Sequence, residues 1–254
     1  AQYIPRVVTR SIESLEKWGV QEEGLYRISG RSSHSSRLRA LWDSPAMDLD
    51  MAAIAPADLD VHAVCSVLKM YLRELPDPLL PKDVTQVFDR LCTEAAGGSP
   101  LTPDMQRQLA PQLAPLMAQV PICEWYLLRE LADHLGRLTE PATVERTKMP
   151  LSNLTLVLAP TVQISVVTLM TVVQLRDVLF NDETRPAPDA ALAHEVLEGD
   201  AYRQSTMARG WRGADTPASA SRQIPSVKSV TDPDRPSLMS KPSAGALRNK
   251  PSMF

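Results

Sequence analysis

Apolar residues recur along this chain every three to four positions, the period of a helix with one buried face. Val8, Ile12 and Leu15 share such a face, and Gly19 stands where a helix C-cap falls. The spacing predicts a first helix over 5–18, with Pro5 near its start. Leu38, Leu41 and Trp42 mark a second helix that Ser32 or Ser33 can N-cap. Residues 43–59 are irregular. Val64, Leu68, Leu72 and Leu75 then follow at i, i+4, i+8 and i+11 behind Asp60, a good N-cap, and Pro76 and Pro78 end that helix. Val84, Val87, Phe88 and Leu91 carry the pattern on from near Asp83. Gly97 to Pro100 reads as a surface loop. Thr102-Pro103 opens a helix that Pro111 and Pro115 are expected to break or kink. Pro121 opens a strong helix with Leu127, Leu128, Leu131, Leu135 and Leu138 on its apolar side. Leu138 to Lys148 reads as a polar connection. Pro150 suits a first helical turn, Leu151, Leu154 and Leu158 form a core stripe, and Pro160 is expected to stop that helix. Over 165–180 the β-branched content hints at a strand, but length and the Val166, Leu169, Val173 spacing favour a last helix. No hairpin signal occurs, so the pattern predicts an all-α fold.

The pattern fades near Thr184. The last 71 residues hold eight prolines and nine serines, and past Tyr202 disorder is expected. Ala190–Leu197 has only a turn or two of helical potential. Residues 1–183 carry 17 basic and 23 acidic side chains, net −6, whereas the tail carries ten and seven, net +3. The expected division is a folded domain over 1–183 and a mostly disordered Pro/Ser-rich tail over 184–254. A domain of net −6 with no basic stripe argues against nucleic acid as the partner. No apolar run approaches the roughly 20 residues that span a bilayer. Structured-looking sequence begins at once without a signal peptide, so a piece of a longer protein is expected. Cys65, Cys92 and Cys123 are far apart and lie in helical apolar patterns, which suits buried thiols in a reducing compartment. The four histidines lack metal-ligand spacing, and neither a phosphate-binding P-loop nor a nucleophile elbow is present.

Three stretches carry candidate chemistry. Glu23-Gly24-Leu25-Tyr26-Arg27-Ile28-Ser29-Gly30 sets one arginine between apolar pairs on a connector between two helices. Such a connector can push a cation into a partner's pocket. Taken alone, the stretch favours a plainer reading, in which Arg27 caps a helix C-terminus or pairs with Glu22 or Glu23. On the Asp60 helix, Lys69 and Arg73 stand four apart and project side by side. Two adjacent like charges suit an anionic or acidic partner, or else a solvated face with Glu74 and Asp77 nearby. In Lys148-Met149-Pro150-Leu151-Ser152-Asn153-Leu154, Asn153 is polar among apolar neighbours. It is either hydrogen-bonded in the interior or turned to a partner.

Together these stretches resemble the RhoGAP domain, the GTPase-activating domain that acts on Rho-family small GTPases. The family pattern E-G-[IL]-[FY]-R-x-S-G is met by Glu23 to Gly30, L-K-x-[FY]-L-R-E-L-P-x-P-L by Leu68 to Leu79, and K-M-x-x-x-N-L-x-x-V-x-x-P-[NT] by Lys148 to Thr161. The order is kept over about 130 residues, and the resemblance covers residues 1 to about 183. Two departures stand out. Leu158-Ala159 occupy the place of a common Phe-Gly or Phe-Ala, and Thr161 that of a common Asn, so a hydrogen bond made by that Asn is not carried over.

The resemblance implies a single helical-bundle domain of the RhoGAP type. It implies stimulation of GTP hydrolysis by a partner in its GTP-bound form, through an arginine finger supplied in trans, and thus a part in signal transduction. It assigns the finger to Arg27, GTPase binding to Lys69, Arg73 and Asn153, and loop support to Gly24 and Gly30, which would let the loop backbone approach the partner. Lys69 is assigned to docking ahead of Arg73, which can instead buttress the Arg27 loop; His62 reads as structural. No cofactor is implied, since GTP and Mg2+ belong to the partner. A cytoplasmic location is implied, with recruitment to membranes where lipid-anchored Rho GTPases act. The alternative is a catalytically silent module that binds such a GTPase or scaffolds other proteins. The preferred Rho, Rac or Cdc42-like partner has no simple code in the sequence.

Overall fold

The computed structural model describes residues 3–43 and 49–187. The chain divides into two units, 1–201 and 202–254, and the second lies outside the described residues. So does most of the tail for which disorder was expected.

Ten α-helices follow one another among the described residues: α1 (Arg6–Lys17), α2 (Ser32–Trp42), α3 (Val61–Arg73), α4 (Lys82–Ala96), α5 (Pro103–Met117), α6 (Ile122–Leu138), α7 (Pro141–Thr147), α8 (Leu151–Val162), α9 (Val166–Gln174) and α10 (Arg176–Leu179). Short 3-10 turns lie at Gly19–Gln21 and Met51–Ala53. The described residues contain no strand. The expected all-α fold is therefore the one found. Its core is mostly aliphatic: Leu15, Leu68, Leu113, Leu128, Leu158 and Leu169 are fully buried, and Trp125, Tyr26 and Phe88 are the large aromatic exceptions. Leu15, Leu68, Leu128 and Leu158 belong to the apolar stripes predicted for α1, α3, α6 and α8, and Leu169 to the spacing predicted for the last helix; Leu113, on α5, was in no predicted stripe.

Start signals behave as their chemistry demands. The Asp60 carboxylate accepts from the His62 N–H at 3.0 Å and caps α3. Thr102 caps α5, with Pro103 in its first turn, and Ser165 caps α9. Helix α2 is different. Arg31, not a serine, is its N-cap residue, and no side chain caps it.

The prolines correct the expectation of a break: no interruption falls at Pro111 or Pro115, and Pro160 does not stop its helix. Helix α5 runs through Pro111 and Pro115, and α8 runs through Pro160 to Val162. All three are exposed. Each removes one N–H and one helical bond, yet it sits on the solvent side, where the carbonyl left without a partner can meet water. Helix α8 ends instead where Gln163 takes a left-handed conformation, φ +57°, and α9 departs at 116° to it. The stretch read as a polar connection holds the seven-residue helix α7. The expected last helix is two, split at Leu175. Gly19 is not a C-cap; it is a buried packing position, where a Cβ would meet the Leu25 side chain at 2.9 Å. Ordered packing continues past α10, because the buried Thr184 hydroxyl donates to the Leu179 carbonyl at 2.7 Å. Helix α3 packs against α1, α2 and α8, and this arrangement places the Arg27 loop.

Candidate functional site

The loop between α1 and α2 is fastened along its backbone. The Gly24 N–H donates to the Thr147 carbonyl at the end of α7, at 2.7 Å, and the Gly24 carbonyl accepts from the N–H groups of Arg27 and Ile28, both at 2.9 Å. Gly24 has φ +70°, a conformation that costs glycine nothing. Leu25 and Tyr26 are buried in the core beneath it. Lys69 Nζ, on α3, donates to the Tyr26 carbonyl at 2.5 Å. Further on, the Gly30 N–H donates to Ser66 Oγ at 3.2 Å and the Arg31 N–H to Asp60 Oδ2 at 3.0 Å. Asp60 therefore caps α3 with one carboxylate oxygen and ties down the loop with the other.

Gly30 corrects one part of the sequence reading. A Cβ there would lie 2.2 Å from the Ala63 backbone nitrogen, so glycine is needed for the loop to lie against α3, within the chain rather than against a partner. Main chain cannot yield as a side chain can.

Between these fastenings Arg27, Ile28 and Ser29 are exposed. Among the described residues the Arg27 guanidinium makes no side-chain hydrogen bond and no ion pair. Neither Glu22 nor Glu23 reaches it, and it caps no helix. The local readings of Arg27 thus have no contact to rest on. Ile28, 44% exposed, adds an apolar surface beside it.

Lys69 and Arg73 project from α3 as the four-residue spacing requires, and their surroundings differ. Lys69 is partly buried and holds the loop; Arg73 is exposed and makes no side-chain contact among the described residues. Burial lowers the Lys69 pKa below that of an ordinary lysine; the Cys65 thiol opposes this and Arg73 reinforces it. Glu74, the acidic neighbour expected to balance this face, is taken by Arg39 of α2 in a two-point contact at 2.8 and 2.9 Å. Arg73 is left without that partner. Cys65 is buried beneath, its thiol pushed up to about 12 by burial, and is inert. Cys92 is buried too, whereas Cys123 is only partly so, contrary to the expectation of three buried thiols.

Asn153 is exposed on α8, and its side chain makes no hydrogen bond among the described residues. The reading in which it turns outward is the one found. Helix α8 packs against α3, and the Thr147 carbonyl that holds Gly24 lies six residues before Asn153 in the chain. Arg27 and Lys69 are joined through Tyr26, and Asn153 sits on the helix packed alongside. Thr161, in place of the common Asn, is buried.

Tyr26, His134 and Glu16 were not singled out by sequence. Tyr26 is fully buried with φ +67°, and its hydroxyl lies 2.9 Å from His134 Nε2. The available signal was a histidine set among Leu131, Leu135 and Leu138 on the apolar side of α6.

Compared with known proteins, residues 5–165 match the family model described as RhoGAP domain. RalA-binding protein 1-A of Xenopus laevis is 34% identical over 165 residues, covering 64% of this chain and 22% of that protein. Active breakpoint cluster region-related protein of Xenopus tropicalis is 33% identical over 158 residues, covering 62% and 17%. Rho GTPase-activating protein gacY of Dictyostelium discoideum is 35% identical over 157 residues, covering 62% and 20%. The chain thus spans about a fifth of the length of these curated relatives. Among solved structures, the BH domain from Graf, the GTPase regulator associated with focal adhesion kinase, aligns with a TM-score of 0.54 at 21% identity, covering 71% of this chain and 95% of that one. This last likeness is one of fold.

Proposed function

The chain belongs to the RhoGAP domain family, and on that premise we propose that it stimulates GTP hydrolysis by a Rho-family small GTPase, with Arg27 as an arginine finger supplied in trans. The observation that carries the reading is the contrast at Arg27. Its flanking backbone is fastened to α7, α3 and Asp60, while its guanidinium is exposed and has no partner among the described residues. A cation built to serve its own fold would have a local anion or carbonyl.

A small GTPase alone hydrolyses GTP slowly because the charge developing on the transferred phosphoryl group is incompletely neutralised. An arginine inserted in trans cancels that charge and is worth roughly 10³–10⁵ in rate. Arginine suits the task because it stays ionised and its planar fork meets two phosphate oxygens. In this reading Lys69 holds the loop from behind, while Arg73 and Asn153 face the GTPase, and GTP and Mg2+ come with the partner. Residues 1–183 carry the activity, in the cytoplasm and at membranes bearing the GTPase.

Single-turnover hydrolysis by a panel of Rho-, Rac- and Cdc42-like GTPases tests this. Wild type should accelerate at least one of them. Arg27→Ala should depress that acceleration by roughly 10³–10⁵-fold while changing affinity for the GTP-bound partner far less. Binding without acceleration by wild type would instead establish a silent binding module.

A further inference from the structure

Beneath the Arg27 loop a chain of hydrogen bonds runs from the loop's tightest backbone position to the surface. Tyr26, the residue before Arg27, has φ +67°, in the left-handed region that costs a side-chain-bearing residue about 1–2 kcal/mol. Its ring is fully buried and meets the His134 ring edge-on, centroids 5.9 Å apart. His134 is fully buried on α6, and its Nδ1 lies 2.8 Å from Glu16 Oε1 on α1. Arg137, one turn further along α6, reaches the same oxygen at 2.7 Å.

The proton positions follow from the partners. Burial pushes the Glu16 carboxyl up, but the hydrogen bonds from His134 and Arg137 together outweigh it and hold the group below the ordinary carboxylate range. Glu16 is therefore ionised and can only accept, so His134 Nδ1 carries the proton and donates. Nε2 is left with a lone pair, and the Tyr26 hydroxyl donates to it. Burial keeps the imidazole neutral by lowering its pKa and keeps the phenol protonated by raising its own. The ionisable groups facing this pair are Glu16 on α1, Glu130 and Arg137 on α6, and Cys65 on α3.

A tyrosine on a loop has no intrinsic reason to stay at positive φ. Here one end of it is fixed by His134 and the other, its carbonyl, by Lys69. Any relaxation of φ would break one contact or the other and swing the next residue, Arg27. We propose that His134 is a positioning residue for the reaction: through the Tyr26 hydroxyl it holds the loop in the backbone state that aims Arg27 at the partner's nucleotide. The proposal rests on the finger reading of Arg27.

Maximal single-turnover rates at saturating protein, measured with melting temperatures on the same samples, test it. His134→Phe strips the acceptor and leaves the Tyr26 hydroxyl buried and unpaired. The maximal rate should fall roughly 10–100-fold, the effect of displacing a reacting group by about 1 Å. Affinity for the GTP-bound partner should change far less. Tyr26→Phe, which keeps the ring, should lower the rate in the same direction. The double change Tyr26→Phe with His134→Phe breaks the same link and should lower the rate no further than His134→Phe alone, while its melting temperature recovers, because a buried pair replaced on both sides is nearly neutral for stability. Should His134→Phe fail to fold, Tyr26→Phe and the double change carry the test. A full maximal rate in every variant that folds, or in the double change, would overturn the proposal. Arg27→Ala is measured alongside. If it leaves stimulation intact, the finger reading fails. If it abolishes stimulation while Tyr26→Phe and His134→Phe keep the full rate, only the positioning role fails.

Discussion

Two buried polar networks run through the bundle, and they terminate differently. The one under the loop passes from Tyr26 through His134 and Glu16 to Arg137, joining the loop to α6 and α1. One of its ends is a surface arginine, and the other is the backbone next to an exposed Arg27. The second network ties α9 to α4 and α5. Gln106 Nε2 donates to Thr171 Oγ1 at 3.2 Å, with the Cys92 thiol 3.8 Å from the same oxygen. Asp89 Oδ1 accepts from the Ser165 hydroxyl at 2.5 Å and also from that of Thr168. This network closes on helices alone. Both pair polar groups that would be costly to bury alone, although Gln106 Oε1 in the second is left without a partner. The difference is that the first ends beside an exposed residue, whereas the second ends in helix packing. On the positioning proposal for His134, similar buried chemistry serves aim in one place and cohesion in another, according to what lies at its end.

That contrast can be broken at Lys69 first. Lys69→Met keeps the aliphatic stem and helix propensity but leaves the Tyr26 carbonyl without its charged donor. A charge-assisted bond of this kind contributes about 1.5–3 kcal/mol, so stimulated hydrolysis should fall roughly ten- to hundredfold while circular dichroism stays that of the wild type. An unchanged rate would detach α3 from the aiming of Arg27.

The second network gives the opposite expectation. Thr171→Val removes the acceptor of Gln106, whose Oε1 already lacks a partner, and leaves a buried donor unpaired. Denaturant unfolding should show a loss of about 1–3 kcal/mol. The maximal stimulated rate of the folded protein should equal that of wild type. A rate loss comparable to that of Lys69→Met would erase the distinction between the networks.

Acidification gives the smallest effect. Burial holds the His134 pKa below the ordinary 6.5, so between 6.5 and the folded value the unfolded chain binds a proton that the fold refuses. Stability is therefore lost as pH falls below 6.5, with a slope of at most about 1.4 kcal/mol per pH unit. Glu16, held low in the fold, adds its own loss as pH falls through its folded value. Melting temperatures recorded on descending pH should bend downward below 6.5, and His134→Gln should flatten that bend. A bend unchanged in His134→Gln would mean that the titration lies elsewhere.

Much of the site was legible because its signals are local. The stretch Glu23 to Gly30, the i,i+4 spacing of Lys69 and Arg73, and the Asp60 cap each depend on a few neighbouring residues. What misled was equally local. Pro111, Pro115 and Pro160 look like breakers in sequence, but all three lie on the exposed side, where water can take up the carbonyl that each leaves without a helical partner. The seven residues of α7 are too short to show a period. Glu74 looked like a neutralising neighbour for Arg73 because it is adjacent; its partner Arg39 lies 35 positions away.

By itself, the sequence determined the helical class, the apolar stripes of α1, α3, α6 and α8, and the candidate residues Arg27, Lys69, Arg73 and Asn153. Periodicity and spacing are properties of the chain that survive without knowledge of its path. Only the tertiary structure decided what fastens the loop. Tyr26 and His134 are 108 positions apart, Glu16 and His134 are 118 apart, and Lys69 reaches Tyr26 across 43. A hydrogen bond needs its partners within about 3 Å in the right orientation, and no pattern along a chain encodes that distance until α1, α3 and α6 have packed.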